Sequence, residues 1–175
     1  MTYNYDTFLE KQFYYETSNK LKPVNHSKQS DFSEEELTGE SVTHLHGYIR
    51  YKSKGSKGLI LTDDDYFNAY LDSSSWVYKA QINCLQKYKC LFVGSSMSDL
   101  FQMSLIEKAK NNSKTGKWNC FALICLNDLE LKEKMQIMKY YKEKGVSIIF
   151  TDCFKDIPDR LASMFGFSFK EFGGE

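Results

Sequence analysis

Three short stretches hold residue types at spacings that could do chemistry: Thr2-Tyr3-Asn4-Tyr5-Asp6, His44-Leu45-His46-Gly47, and Phe92 to Asp99, which reads FVGSSMSD. In the first, Asn4 and Asp6 alternate toward one side if the segment is extended. An amide and a carboxylate on one wall suit a ligand that carries hydroxyls and an amide, and the carboxylate can stabilise nearby positive charge. Asp6 equally suits an Asx turn that caps a helix. In the second stretch, His44 and His46 stand two apart on an expected strand, so their side chains share one face. His46, placed before a glycine, suits a general base, because imidazole titrates near working pH and Gly47 leaves room for a substrate. A hydrogen-bonded histidine on a half-exposed strand is the alternative. A metal site needs at least a third ligand. The remaining histidine, His26, lies in a polar stretch without ligand spacing, so no metal is expected. In the third stretch, Gly94 lets the backbone approach a ligand. Ser95, Ser96 and the amides of a following helix offer hydrogen bonds to ribose hydroxyls or phosphate oxygens. The same Gly-Ser-Ser turn, with Ser98 as N-cap, is also common punctuation between strand and helix.

The elements that must carry these stretches follow from the hydrophobic pattern. Tyr3 to Tyr15 reads as a loop feeding a short helix that opens at Thr7 after Asp6, with Leu9 and Phe13 at helical spacing. From about 17 to 41 the chain turns polar and loses periodicity, which marks a long loop or an insertion. Val42 to Tyr51 and Leu59 to Leu61 read as strands, the first interrupted by Gly47. Thr62 and three aspartates start a helix with Phe67 and Leu71 on one face. Ser73 to Ser75 start another, with Trp76, Ala80 and Cys84 as its buried stripe. Then strands Cys90 to Val93, Cys120 to Leu126 and Val146 to Phe150 alternate with helices Ser98 to Lys110, Asp128 to Lys144 and Asp156 to Phe165. Apolar strands alternating with helices predict an α/β, Rossmann-like fold, a mostly parallel sheet covered by helices on both faces. None of the ten glycines falls in a G-x-G-x-x-G array, so the N-terminal strand and Gly-rich turn of such a fold are expected to be missing.

Composition narrows the class further. The 175 residues fit one domain spanning 1–175. Lys+Arg and Asp+Glu both number 23, so there is no basic excess to bind a phosphate backbone, and nucleic acid is not expected as a partner. The longest apolar run, Cys120 to Leu126, is far short of the roughly 20 residues that cross a bilayer. MTYNYD lacks a signal peptide's basic and apolar regions. A soluble, cytoplasmic protein is expected. The five cysteines, at 84, 90, 120, 125 and 153, form no C-x-x-C pair and read as buried thiols.

Taken together and in order, the three stretches resemble the sirtuin-like superfamily, in particular its divergent bacterial branch of NAD-consuming antiviral defence domains. TYNYDTFLE is similar to that branch's T-x-N-Y-D-x-x-L-E motif, HLHG to its histidine-glycine motif, and LFVGSSMSD to its strand followed by G-x-S-x-x-D. The resemblance implies an NAD site: Asn4 and Asp6 at the nicotinamide ribose and carboxamide, with Thr2 beside them, and His46 as the base acting on the ribose. Gly94, Ser95 and Ser96 would lie near the adenosine half, with Asn127 as a ribose contact. It also implies cleavage of the nicotinamide–ribose bond with positive charge developing on the ribose, as in glycoside hydrolysis, and water completing the reaction. The deacylase branch resembles itself in a four-cysteine zinc module that this chain lacks, which favours hydrolysis over deacylation.

No counterpart of the family's G-A-G-x-S region precedes Thr2. A partial domain is therefore expected, completed by another chain or a sensor partner, with oligomerisation open. The rival expectation is an inactive interaction module; a third, a metal-dependent hydrolase built on His44 and His46, requires bound metal.

Overall fold

A computed structural model of the chain describes residues 1–24, 41–49, 59–113, 118–126 and 129–166. The chain divides into two units, Met1–Asn83 and Cys84–Glu175.

The first unit is built on very short parallel pairings. Strand β1 (Lys22–Val24) pairs with β2 (Ser41–Thr43) in the register Pro23↔Val42. On the other side of β2, Thr2 bridges to His44: the Thr2 amide donates to the Thr43 carbonyl at 2.8 Å and the Leu45 amide to the Thr2 carbonyl at 3.0 Å. Helix α1 (Phe8–Thr17) begins where the Asp6 carboxylate accepts from the Phe8 amide at 2.9 Å, an Asx turn one residue before the Thr7 cap. Leu9 and Phe13 lie exposed, and the buried residue of this helix is Glu10.

Helix α2 (Asp63–Leu71) starts with a reciprocal cap: the Thr62 hydroxyl accepts from the Asp65 amide at 3.1 Å and the Asp65 carboxylate accepts from the Thr62 amide at 3.2 Å. Its buried side is Ala69 and Tyr70, not the expected Phe67 and Leu71, which are exposed. Helix α3 (Trp76–Lys87) follows Ser75, whose hydroxyl accepts from the Tyr78 amide at 3.1 Å, and buries Trp76, Val77, Ala80, Gln81 and Leu85, while Cys84 is half-buried.

Two strand expectations change. The strand read over Val42 to Tyr51 stops pairing at His44, because the chain turns at Leu45 and His46. The Gly47 amide closes the turn onto the His44 carbonyl at 3.2 Å. Gly47 has φ +78°, where a glycine meets no side-chain penalty. Residues 50 and 51 lie outside the described residues. Leu59 to Leu61 forms no strand; it is tied from the Ile60 amide to the His46 carbonyl at 3.1 Å and from the Tyr5 hydroxyl to the Ile60 carbonyl. Strand β1 falls in the stretch expected to be loop; it carries Pro23, which an edge strand tolerates because the missing N–H costs no ladder bond.

The second unit is a three-stranded parallel sheet in the order β3 (Cys90–Val93), β4 (Cys120–Cys125), β5 (Ser147–Thr151). The register places Ala122 between Phe92 and Ile148. Parallel neighbours need crossovers, supplied here by α4 (Leu100–Asn111) and α5 (Leu131–Lys144); α6 (Ile157–Phe165) follows a 3-10 turn at Phe154–Asp156. Central strand β4 buries Cys120, Ala122, Leu123 and Ile124, and Ile106 and Val146 are wholly buried in the same unit. The Trp118 indole donates to the Gly145 carbonyl, fixing the entry to β4 at the end of α5. The class is α/β with parallel strands, as expected.

Candidate functional site

In the N-terminal stretch, position and chemistry separate residue by residue. Thr2 is buried, and its hydroxyl accepts from the Asn4 amide at 3.1 Å, so it shapes the turn of the chain. The Asn4 and Asp6 side chains are exposed, although one Asp6 oxygen holds the Phe8 amide. Between them, Tyr5 is pinned: its hydroxyl donates to the Ile60 carbonyl and its own carbonyl accepts from the Ile49 amide at 2.7 Å. A cavity of about 600 Å³ opens here, lined by Asn4, Asp6, Thr7, Lys11 and the rings of Tyr3, Tyr5 and Phe8, with Ile49 opposite in sequence. The volume lies in the range of small-molecule sites, and apolar rings with a few polar groups are the usual lining.

The two histidines do not serve one face. His44 is fully buried; its Nδ1 lies 3.0 Å from the Asn4 carbonyl and its Nε2 lies 2.6 Å from a Glu10 carboxyl oxygen. His46, in the turn, is half-buried with its Nε2 2.9 Å from the hydroxyl of the buried Tyr70. Among the described residues, four tyrosine rings lie close to it: Tyr3 at 5.4 Å, Tyr66 at 5.7 Å, Tyr70 at 5.9 Å and Tyr5 at 6.0 Å between centroids. Tyr66 and Tyr70 stack on each other at 4.4 Å, one helical turn apart on α2. His46 does not itself line the cavity, but Tyr3 and Tyr5 belong to both the cavity and the ring of His46. The Tyr70 hydroxyl orients the imidazole through Nε2.

In the second unit, Gly94 follows β3 at φ +70°, with no atom within 4 Å of where a Cβ would stand. Its glycine requirement is conformational, and open space lies beside it. Ser95 holds the Met97 amide at 3.2 Å, and the Ser96 and Ser98 hydroxyls bond each other at 2.6 Å. The cap of α4 is Asp99, not the expected Ser98: one carboxylate oxygen accepts from the amides of Phe101 at 2.8 Å and Gln102 at 3.1 Å. Those amides are therefore spent, and a carboxylate occupies the positive helix end. The turn suits neutral hydroxyls better than phosphate. Asn127 lies outside the described residues, as does His26.

The sequence model of the SIR2-like domain family matches residues 1–149, a span that takes in all three motifs. The chain belongs to the SIR2-like family. No curated protein matches it. SIR2-like domains bind NAD. Among the described residues, no group of three or more His, Cys, Asp or Glu is placed to hold a metal ion, and no helix is long and apolar enough to cross a membrane.

Reasoning from sequence missed three parts of this SIR2-like site. Glu10 closes the family motif yet received no role, because a glutamate in an early helical turn reads as solvated. Tyr66 and Tyr70 sit four apart on α2, a signal that was present but pointed to the wrong face. Lys11, its Nζ 5.6 Å from the centre of the Phe8 ring, adds a cation to the cavity wall.

Proposed function

We propose that this SIR2-like chain hydrolyses NAD at the nicotinamide–ribose bond, in a bacterial antiviral role that follows from its motifs. The observation that carries the reading is the 600 Å³ cavity whose wall displays the Asn4 amide and Asp6 carboxylate and shares Tyr3 and Tyr5 with His46. NAD would supply a leaving group whose departure puts positive charge on the ribose. Asp6, on the exposed wall, stabilises that charge, and its bond to the Phe8 amide keeps the carboxylate aimed without consuming both oxygens. Asn4 orients a carboxamide through both donor and acceptor atoms. His46, held by Tyr70, receives a proton from a ribose hydroxyl or from water, and the tyrosine rings limit solvent around it. Gly94, Ser95 and Ser96 offer an open, hydroxyl-rich turn for a ribose of NAD, and the motif implies a ribose contact for Asn127.

The test is nicotinamide release from NAD by the purified chain beside His46→Ala and Asp6→Ala. The expected loss is on the order of 10²–10⁴-fold for the base variant. Equal turnover in wild type and both variants would remove the reading. A second reading, an interaction module without turnover, draws on the exposed Phe8 and Tyr15 of α1, 71% and 77% accessible. It predicts no nicotinamide release and no NAD binding by calorimetry.

A further inference from the structure

Beneath the cavity wall sits a buried pair that the proposed chemistry does not use. His44 is wholly enclosed, and Glu10 is 8% exposed. A carbonyl oxygen only accepts, so the His44 Nδ1, 3.0 Å from the Asn4 carbonyl, must carry a proton. At 2.6 Å the Nε2 and the Glu10 oxygen cannot both present lone pairs, so a second proton lies between them, whichever atom owns it. The other carboxyl oxygen of Glu10 is buried without a hydrogen-bond partner. Leaving such an atom unmatched is unfavourable, and it calls for a reason why the carboxyl is held here. Packed against the pair are the Tyr48 ring, 5.1 Å from that of His44, and the backbone of the Thr2–Asn4 segment.

The geometry points to a positioning role: the Glu10–His44 couple, acting from α1 through the imidazole, fixes the Asn4 carbonyl and with it the Asn4–Asp6 wall of the NAD site. The inference rests on the hydrolase reading for its reaction but not for its geometry. The chain path explains why a couple is needed. Asn4 and Asp6 follow a single bridge residue, Thr2, and no ladder continues beyond it. The imidazole reaches across from β2 and ties the unladdered segment at its centre. Glu10, only four residues beyond Asp6, returns the other end of the imidazole to the same stretch of chain, so wall and helix start move together.

Glu10→Gln and Glu10→Ala separate this role from simple stability. A glutamine amide can donate to Nε2 of a neutral imidazole, with its oxygen in place of the unpartnered one, so the tie to Asn4 survives; alanine leaves Nε2 with nothing. The experiment measures kcat and KM for nicotinamide release, NAD affinity by calorimetry and the thermal midpoint for wild type and both variants. The expected result is kcat within about threefold of wild type for Glu10→Gln and a loss of about 10²-fold for Glu10→Ala, the scale of a 1 Å misplacement. Because folding of the alanine variant is weakened, both are compared well below their midpoints. A far-downfield proton signal from the Glu10–His44 bond should be present in wild type and absent in both variants. Equal kcat for the alanine and glutamine variants would overturn the positioning role. If wild type releases no nicotinamide but binds NAD, the hydrolase reading fails alone, and the couple stands or falls on whether alanine weakens affinity while glutamine does not. Absence of both turnover and binding overturns both.

Discussion

The two units solve the same packing problem with different chemistry. Among the described residues, the first holds five that are buried and polar, Thr2, Glu10, Thr43, His44 and Gln81, and its ladder is three residues long; the second buries Gln102 and Thr151 but rests on a continuous apolar strand, β4. Apolar burial is non-directional and tolerates small shifts, whereas a buried polar network specifies one arrangement and is costly when half-satisfied. The unit that carries Asn4, Asp6 and His46 is thus the one built from directional contacts. For the proposed NAD site, that is where the wall needs its atoms fixed, and where local rules are expected to be broken.

The largest effects should divide along this line. Each unit contains one of the chain's two tryptophans, Trp76 and Trp118, so a Trp→Phe change at either leaves the other as reporter. In a Trp76→Phe background, Leu123→Ala, which empties a site only 1% exposed, should lower stability by about 3 kcal/mol in urea. In a Trp118→Phe background, His44→Leu should cost about 3 kcal/mol, because the Glu10 carboxyl is left buried and alone. The double change His44→Leu with Glu10→Met should cost less, about 1 kcal/mol, since only the bond to the Asn4 carbonyl is then lost. A double variant no more stable than the single one would mean that the pair is not what holds the first unit.

The same contrast decided what could be read from sequence. The second unit was legible nearly to the residue: strands Cys90 to Val93 and Cys120 to Cys125 and the helices between them announce themselves because a parallel sheet covered by helices needs unbroken apolar runs. Its boundaries moved by one to three residues: the cap of α4 from Ser98 to Asp99, the start of α5 from Asp128 to Leu131, the end of β4 from Leu126 to Cys125, and β5 from Val146–Phe150 to Ser147–Thr151. In the first unit, residue type and motif single out Asn4, Asp6 and His46 as candidates but say nothing of the residues that support them. β1 was hidden in a polar stretch since three residues leave no period to detect. The buried partners Glu10 and Tyr70 were missed because a polar core obeys pairing across 34 and 24 residues, which no local pattern encodes. Burial of Ala69 and Tyr70 in place of Phe67 and Leu71 accompanies the Tyr70–His46 hydrogen bond, a long-range pairing that local periodicity does not encode.

Alkali should single out the second unit. Burial pushes the Cys90 thiol up to about 11 and the Cys120 thiol up to about 12 from 9.0, with neighbouring thiols adding to the effect. An acid whose folded value is raised binds its proton more tightly when folded. The associated stability is complete below pH 9 and is lost as pH rises from there through 11 to 12. The urea midpoint read from Trp118 should therefore fall across that window, and Cys120→Ala should flatten the fall. An unchanged slope in Cys120→Ala would assign the loss to other groups.

The smallest effect tests whether α2 matters to the site through its start. Thr62→Ala removes the hydroxyl that accepts from Asp65 and should cost about 1 kcal/mol. The same hydroxyl is the leading cause that holds the Asp65 carboxyl below its ordinary value, followed by the Thr62 and Leu61 amides. A lowered carboxylate contributes stability above its unfolded value and loses it as pH falls through the folded one. The difference between wild type and Thr62→Ala should thus be constant near neutrality and shrink in acid. Because α2 also carries Tyr66 and Tyr70 against His46, the variant sharpens the comparison in a second way. Far-downfield or ring-proton shifts of His46 that stay fixed while the helix loses stability would show that the tyrosine contacts, rather than the cap, set the geometry of the base. Shifts that move with the cap would make the whole helix part of the positioning apparatus of the first unit.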